Sequence, residues 1–537
     1  MSDGSAAHPM TFDWSFPYPS QRMPVMAENV VATSQPLAAE AGLEILRKGG
    51  NAMDAAIAAA STLPVVEPTS NGLGSDAFAL VWKDGKLLGL NASGRAPAAL
   101  RPSHFSGMDR VPFNGWGPVT VPGAVSAWVT LNEKLGRLPL GDVLAPAMRY
   151  AEEGFPVSPQ TASGWAGVPR RWRDQPSIQQ AFAPDGKTPG AGDWWRFPEQ
   201  AATLARIAET KGEAFYKGEL AEAIVKHSGA NDGLMTMKDL ADHQADWVDP
   251  ISMEYHGYHL HEIPPNGQGL AALLMLGILK HHNLGDLDVD CPDMLHMQIE
   301  AMKLAFRDAH RYIADPNWMD VDVAALLDED YLAGRAKLID PKKATDFKHG
   351  DPKVGGTVLL CTADADGMMV SYIQSNYTGF GSGIVIPGTG ISMQNRGACF
   401  TLEDGHPNQA GGGKRPYHTI IPGFVTKGEQ PIMAFGVMGG PMQPQGHAQV
   451  LIRMADFQQN PQAALDAPRW QVFDGMEVGI EPGFPEDVYE ALEARGHRLR
   501  RARRRTVTYG GGQVIARLDR GYCAGSDLRR DGLAIGF

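Results

Sequence analysis

A threonine that directly follows a flexible segment, Thr357, is the residue whose position most strongly suggests chemistry. The preceding residues 340–356, DPKKATDFKHGDPKVGG, are charged and rich in glycine and proline, which is typical of an exposed linker. The following residues, TVLLCTADADGMMVSYIQS, are two β-rich runs joined by Asp366-Gly367, and this pattern predicts a hairpin. Cleavage before Thr357 would place a hydroxyl and a free α-amine on one residue. An α-amine with a pKa of about 7.7–8.0 can accept the proton of that hydroxyl and activate it as a nucleophile.

The elements that must position this threonine are mixed, helix-rich up to about residue 340 and β-rich after 356. Apolar residues at helical spacing predict helices at 36–48, 52–63, 296–316, 442–459 and 486–496. Asn51 is a predicted N-cap, and Asp84-Gly85 predicts a hairpin turn. Short strands are predicted at 391–401, 418–426, 430–438, 470–480 and 512–519.

Eight sequence blocks lie in one order from about residue 30 to the C-terminus. They are GGNAMDAAIAAASTLPVVEPTSNGLG, GRAP, YHGYHLHEIPPNGQG, EAMKLAFRDAHRYIADP, TVLLCTADADGMMVSYIQSNYTGFGSGIV, GTGISMQNRGACF, GKRPYHTIIP and FGVMGGPMQPQGH. Together they resemble the γ-glutamyltranspeptidase family of N-terminal nucleophile hydrolases. The resemblance implies an α+β fold, a four-layer α/β/β/α sandwich whose two central sheets are antiparallel.

The same resemblance implies a proenzyme that cuts its own chain between Gly356 and Thr357. We expect an N-terminal arm at 1–28, a large subunit at 29–356 and a small subunit at 357–537, which stay associated around one combined core. In this scheme Thr357 is the nucleophile and Ser375 is the hydroxyl residue that positions its freed amine. Gly439 and Gly440 match the pair whose backbone N–H groups form the oxyanion hole, where glycine allows close approach of the backbone.

The substrate-contacting positions implied by the resemblance are Arg95, Asn376, Tyr377, Arg396, His418 and Thr419. Several of them depart from the family pattern. Cys399 stands where γ-glutamyl enzymes have the acidic residue that holds the α-amino group, and Arg396 replaces a polar residue. Strict spacing places the family's carboxylate-binding arginine at Ser93, with Arg95 two residues away. An unpaired buried ammonium is costly, so this pattern disfavours glutathione as the best substrate.

Two arginines at a small pocket, Arg95 and Arg396, favour an acyl group that ends in a carboxylate without a neighbouring amine. The predicted function is therefore hydrolysis of a small-molecule amide, a dicarboxylic monoamide such as oxamate or one with a glutaryl-type side chain, through an acyl-Thr357 intermediate. One alternative is a true γ-glutamyl hydrolase or transpeptidase that acts on glutathione. The other is a non-catalytic relative that serves as a binding or scaffold protein.

Composition limits the partners and the location. The formal charge of −13 disfavours nucleic acid as a partner. The sequence contains no run of 18 apolar residues, so we expect no membrane-spanning helix. The basic run Arg495–Arg505 is interpreted as a solvated helix end and edge strand.

The four cysteines form no CxxC pair and the N-terminus has no secretory pattern, so we expect a cytoplasmic protein. The acyl-enzyme mechanism that the resemblance implies requires no cofactor. A metal site at His256, His259 and His261 is disfavoured, because no carboxylate appears at ligand spacing. The oligomeric state stays open, with a homodimer as one option.

Overall fold

The computed structural model describes residues 21–347 and 356–537. Its strands, in chain order, are β1 (Val25–Ala27), β2 (Val30–Thr33), β3 (Asp76–Lys83), β4 (Lys86–Asn91), β5 (Phe155–Pro156), β6 (Trp194–Trp195), β7 (Asp246–Val248), β8 (Ile251–Tyr255), β9 (Tyr258–Glu262), β10 (Gly356–Ala363), β11 (Met369–Tyr377), β12 (Val385–Ile386), β13 (Ile391–Ser392), β14 (Gly423–Lys427), β15 (Gln430–Met438), β16 (Trp470–Asp474), β17 (Glu477–Ile480), β18 (Arg498–Arg501), β19 (Gly511–Arg517), β20 (Tyr522–Ser526) and β21 (Leu533–Gly536).

The helices surround these strands. In chain order they are α1 (Pro36–Arg47), α2 (Ala52–Val66), α3 (Ala124–Leu135), α4 (Leu140–Glu153), α5 (Pro159–Trp165), α6 (Val168–Arg171), α7 (Pro176–Phe182), α8 (Pro198–Thr210), α9 (Glu213–Tyr216), α10 (Glu219–Gly229), α11 (Met237–Ala241), α12 (Gly269–Leu279), α13 (Pro292–Tyr312), α14 (Val323–Leu326), α15 (Glu329–Ala336), α16 (Met442–Ala455), α17 (Pro461–Asp466) and α18 (Glu486–Ala494). Among the residues that the structure describes, no helix is long and apolar enough to cross a membrane.

Two seven-stranded antiparallel sheets form the centre of the molecule. The first has the order β21-β2-β10-β11-β3-β4-β7, and the second β1-β20-β19-β15-β14-β9-β8. Apolar residues between them, including Phe78, Leu359, Ile373 and Phe424, form an inner core. The outer face of the first sheet packs against helices that include α2, and that of the second against helices that include α12 and α13. The predicted four-layer α/β/β/α sandwich is confirmed.

The helix beneath the nucleophile strand, α2, is buried on every side. Its alanine-rich sequence allows close packing, and Asn51 and Asp54 form a capping box at its N-terminus, as the N-cap prediction required. Asp364, in the turn after β10, accepts the Ala52 N–H at 2.7 Å. A carboxylate at a helix N-terminus is favourable, so this contact attaches the β10–β11 hairpin to the helix layer.

Two sequence expectations differ from the structure in detail. The predicted strand at 391–401 is reduced to Ile391–Ser392, followed by a 3-10 turn at Arg396–Cys399. Its backbone groups bond to loops instead of a sheet: Gly397 N–H, for example, donates to Pro118 C=O at 2.7 Å. Of the expected N-terminal arm, residues 1–20 lie outside the described residues, whereas Val25–Ala27 forms β1 and pairs with β20.

Candidate active site

The candidate nucleophile lies at the start of β10, at the open end of the hairpin, where the strand register is irregular. Gly356 pairs with Tyr377 but Val358 pairs with Gln374, so the register shifts at Thr357. Such bulges re-aim side chains. Side chains alternate along a strand, and Leu359 belongs to the core between the sheets. The Thr357 side chain is therefore directed into the space between the two sheets, where it is 1% exposed.

The hydroxyl expected to assist Thr357 lies next to it. The Oγ atoms of Ser375 and Thr357 are 3.2 Å apart, and both residues are buried. Ser375 Oγ also accepts the backbone N–H of Tyr377 at 2.8 Å, which fixes its orientation. Tyr377 adopts a positive φ of 73°, and the chain turns away from the sheet at this point. The predicted hairpin at Asp366-Gly367 is present, and the two hydroxyls that the family resemblance pointed to lie together at its open end.

The predicted oxyanion glycines form the connection between β15 and α16. Gly439 and Gly440 have φ values of 128° and 60°, a region that favours glycine. A Cβ on Gly439 would approach Gly510 Cα to 3.1 Å. Among the described residues, no acceptor takes either glycine N–H. These donors lie just before the N-terminus of α16, where the helix dipole favours negative charge.

The candidate nucleophile and the predicted oxyanion glycines belong to facing sheets. Leu359, two residues after Thr357, lies 3.0 Å from the Cβ position of Gly436, three residues before Gly439. This contact places the start of β10 and the end of β15 at the same end of the sandwich. Sequence reasoning missed Gln268, which lies at this end of the sandwich. Its Nε2 donates to Gly440 C=O at 2.9 Å and also to Thr419 C=O, so it links the two segments that carry these carbonyls.

A buried charged cluster lies on the β3 side of Thr357. Arg396 is fully buried, and its Nη1 donates to Thr419 Oγ1 at 2.7 Å. Its guanidinium lies 4.6 Å from the centre of the Tyr377 ring. Its Nε is 3.6 Å from an oxygen of Asp76, and its Nη2 is buried without a hydrogen-bond partner among the described residues. An unsatisfied buried donor is unfavourable, so Nη2 is available to a ligand.

Sequence reasoning missed Asp76. It lies directly opposite Ser375 where β3 pairs with β11. Burial raises the pKa of the Asp76 carboxyl to about 7, and the nearby Arg396 opposes this rise. His418 Nε2 is 3.1 Å from Asp76 Oδ2. Burial, and then the charges of Arg396 and Arg415, hold the pKa of His418 well below its usual value. His418 is therefore neutral; because its Nδ1 accepts the Ile420 N–H, Nε2 donates to Asp76.

The structure does not bring two other predicted positions into this cluster. Arg95 forms an ion pair with Asp315 at 2.8 Å and donates to Gly413 C=O, with 40% of its side chain exposed. Both ends of the Asn376 amide are engaged in the core: Oδ1 accepts Ser75 Oγ and Nδ2 donates to Ser392 Oγ. Of the two arginines expected at a small pocket, the structure therefore places only Arg396 beside Thr419, Tyr377 and His418.

In the histidine cluster singled out from the sequence, His256 and His261 are engaged in hydrogen bonds, whereas Nδ1 of His259 is buried without a partner among the described residues. His256 Nδ1 contacts Asp456 at 2.6 Å and His261 Nε2 contacts Thr426 Oγ1 at 2.9 Å. His296, Glu300 and His497 offer three ligand atoms within 4.8 Å of one another. There, the Lys303 ammonium lies 2.6 Å from Glu300 and 3.4 Å from His497. A cation therefore already pairs with the carboxylate of this cluster.

Comparison with known proteins identifies the family. The sequence model of the Gamma-glutamyltranspeptidase family matches residues 38–537, and the chain belongs to this family. It is similar to the glutathione hydrolase-like YwrD proenzyme of Bacillus subtilis, with 35% identity over 95% of this chain and 100% of that protein. It is equally similar to the oxamate amidohydrolase proenzyme of Klebsiella pneumoniae, with 35% identity over 93% and 97% of the two chains.

A solved structure, that of cephalosporin acylase from Bacillus halodurans, matches with a TM-score of 0.95 and 51% identity. It covers 98% of this chain and 99% of that one. The class of protein is therefore established: the chain is an N-terminal nucleophile amide hydrolase or acyltransferase. The alternative of a non-catalytic scaffold receives no support from these relatives, which are named as enzymes or proenzymes.

Proposed function

We propose that this chain cuts itself between Gly356 and Thr357 and then hydrolyses amides whose small acyl group ends in a carboxylate. Residues 1–356 and 357–537 would form two subunits held by the shared inner core. The proenzyme names of the two relatives support the cleavage. The buried Thr357–Ser375 hydroxyl pair at the start of β10 supports its position.

In the mature enzyme the α-amine of Thr357 takes the proton of its own hydroxyl. Oγ1 then attacks the substrate carbonyl, so that a C–O bond forms while the N–H groups of Gly439 and Gly440 stabilise the oxyanion. The C–N bond breaks, and the departing amine takes the proton back from the Thr357 amine. Water attacks the ester next, releases the carboxylic acid and restores the hydroxyl.

The observation that carries the acyl preference is the buried guanidinium of Arg396 with its unpartnered Nη2. A substrate carboxylate would satisfy this donor and add a charge-assisted hydrogen bond. Oxamate is itself a dicarboxylic monoamide, and one relative is named for its hydrolysis. Because His418 is neutral, it adds no positive charge beside Arg396.

The direct experiment compares kcat/KM of the matured enzyme for oxamate and glutaric monoamide with kcat/KM for glutathione. We expect the monoamides to be hydrolysed faster. Arg396→Gln should lower kcat/KM for the monoamides at least about tenfold relative to an amide with an uncharged acyl group, whereas the exposed Arg498→Gln should leave it unchanged. Faster hydrolysis of glutathione would contradict the proposal.

A second candidate, hydrolysis of γ-glutamyl amides, is favoured by one observation: the presence of Asp76. Although Cys399 replaces the acidic residue of the family pattern, Asp76 supplies a buried carboxylate at the same cluster, 3.6 Å from Arg396. In its ionised state it could hold an α-amino group. The two candidates thus require opposite charge states of Asp76, which makes them separable by pH.

A further inference from the structure

A buried polar cluster holds the segment that leads to the proposed cleavage bond. His296, Glu300 and Lys303 lie on the buried face of α13, and His497 follows α18. All four residues, which we call the anchor cluster, are at most 5% exposed. Their partners include backbone groups of residues 340–345, which lie between α15 and the cleavage bond in the chain. The reaction described above does not use this cluster.

The hydrogen bonds of the anchor cluster have a fixed direction. His296 Nε2 lies 2.8 Å from Asp340 C=O, which only accepts, so this nitrogen donates. Burial is the main cause that lowers the pKa of both His296 and His497, so each ring is neutral and carries one N–H. His296 Nδ1 therefore accepts from His497 Nε2 at 2.8 Å, and His497 Nδ1 accepts from the Lys303 ammonium at 3.4 Å. The donors thus run in one direction from Lys303 to the backbone of Asp340.

A second set of contacts holds the same segment. Glu300 accepts the Lys303 ammonium at 2.6 Å with one oxygen and the Thr345 N–H at 2.9 Å with the other. The Ala344 N–H donates to Arg495 C=O at 2.8 Å. Because the groups held in this segment are backbone groups, the contacts fix the path of the chain and not the identity of its side chains.

These contacts join the two proposed subunits. Residues 340–347 and α13 belong to the proposed large subunit, whereas Arg495 and His497 belong to the proposed small subunit. A buried ion pair is often no more stabilising than apolar residues of similar volume, so stability alone is a weak reason for this cluster. A fully hydrogen-bonded network does fix the geometry of the groups that it binds.

The anchor cluster also shortens the chain between the last fixed point and the cleavage bond. Thr345 precedes Gly356 by about eleven residues, whereas α15 ends about twenty residues before it. The entropic cost of holding two points of a chain together grows with the length between them. Loss of the anchor nearly doubles this length, so any one arrangement of the cleavage bond should be populated about two- to threefold less often.

We propose that the anchor cluster positions the segment before the cleavage bond and thereby accelerates self-cleavage. The cluster acts through the backbone of residues 340–345 and contributes no atom to the reaction. In that reaction Thr357 Oγ1 attacks the Gly356 carbonyl carbon, the C–N bond breaks, and the hydroxyl proton passes to the freed amine; water then hydrolyses the ester. The inference rests on the proposed function in that the chain cuts itself.

The test follows self-cleavage from the time of synthesis. Wild type and variants are made by cell-free translation with labelled methionine, translation is stopped, and the full chain and its fragments are separated by gel electrophoresis at successive times. Thr345→Pro removes the N–H that Glu300 accepts and should slow cleavage at least about twofold. Thr345→Ala keeps that N–H, is the matched control and should cleave at the wild-type rate.

A second pair of variants acts at the other end of the anchor cluster. His296→Phe removes the donor to Asp340 C=O and should cleave as slowly as Thr345→Pro. His296→Gln keeps a group that can both accept and donate, so it should restore most of the wild-type rate. Matured enzyme from all four variants should keep the wild-type kcat/KM for whichever amide it is found to hydrolyse.

Three results would overturn the role of the anchor cluster while leaving self-cleavage intact. The first is Thr345→Pro cleaving at the wild-type rate, and the second is equal cleavage rates for His296→Gln and His296→Phe. The third is an equal loss of cleavage rate and of kcat/KM, since the cluster would then support the fold alone. A wild type that never cleaves would instead contradict the proposed self-cleavage, and this inference would fall with it.

Discussion

Replacing Asp76 by asparagine should reveal which acyl group the enzyme binds. Burial raises the pKa of Asp76 to about 7, so this carboxyl is neutral below that pH and ionised above it. The ionised form lies 3.6 Å from Arg396 and competes with a substrate carboxylate for that cation. Two negative charges about 5 Å apart repel each other by about 3 kcal/mol at an effective dielectric constant of about 20. This energy corresponds to about a hundredfold in affinity.

For a dicarboxylic acyl group, wild-type affinity should therefore fall about tenfold per pH unit above pH 7 and level off after about a hundredfold. Asp76→Asn should remove this fall and bind equally well on both sides of pH 7. The assay is the competitive Ki of the product dicarboxylate between pH 5.5 and 9.5. This Ki involves no chemical step, and the α-amine of Thr357 is common to every variant. Asp84→Asn, in the exposed β3–β4 turn, is the matched control and should keep the wild-type profile.

A γ-glutamyl substrate would give the opposite sign. Its α-amino group requires an ionised Asp76, so affinity should rise with pH through 7, and Asp76→Asn should abolish it. A wild-type Ki that does not change across pH 7, or a profile that Asp76→Asn leaves intact, would refute the assignment of Asp76 and Arg396 to one substrate pocket.

Two further predictions concern the loop at Gly439-Gly440, which we propose as the oxyanion hole. Gln268→Ala should lower kcat about tenfold and the free energy of unfolding by about 1–3 kcal/mol, because the carbonyls of Gly440 and Thr419 lose their buried donor. Steady-state kinetics and urea unfolding measure the two effects. An unchanged kcat would contradict a role of Gln268 in positioning this loop. Gly439→Ala should lower the free energy of unfolding by about 1–3 kcal/mol, because a φ of 128° strains an L-residue, and it should slow single-turnover acylation. The control is Gly107→Ala, at an exposed turn glycine with open space around its Cβ position, which introduces backbone strain without contact to the site. An equal loss of acylation rate in both variants would contradict a local role of Gly439.

Local patterns were sufficient to predict the elements that carry the proposed nucleophile. The Asp366-Gly367 turn predicts that β10 and β11 pair as a hairpin, whereas the choice of Ser375 as the partner of Thr357 came from the family resemblance. The alanine-rich composition of α2 likewise indicates its complete burial. These features depend on neighbours in the chain, which is why the sequence is informative about them.

The remaining site residues depend on contacts between distant segments. Asp76 lies near Arg396 because β3 pairs with β11. Arg95 is held outside the cluster by an ion pair with Asp315, which is 220 residues away in the chain. No spacing rule predicts either contact. Gln268 lay within a family-like block, but its two backbone acceptors come from the Thr419 segment and the oxyanion loop. Its role therefore becomes apparent only once the second sheet is assembled.

The central claim is that Thr357 becomes an N-terminal nucleophile, and intact-mass measurement tests it most directly. Purified wild type, Thr357→Ser and Thr357→Ala are incubated at neutral pH and then weighed by mass spectrometry. Wild type and Thr357→Ser should split before residue 357 into two fragments whose summed mass exceeds that of the precursor by one water, whereas Thr357→Ala should stay whole. A wild type that remains a single 57.8 kDa chain, or a Thr357→Ala variant that cleaves at the same bond, would contradict it.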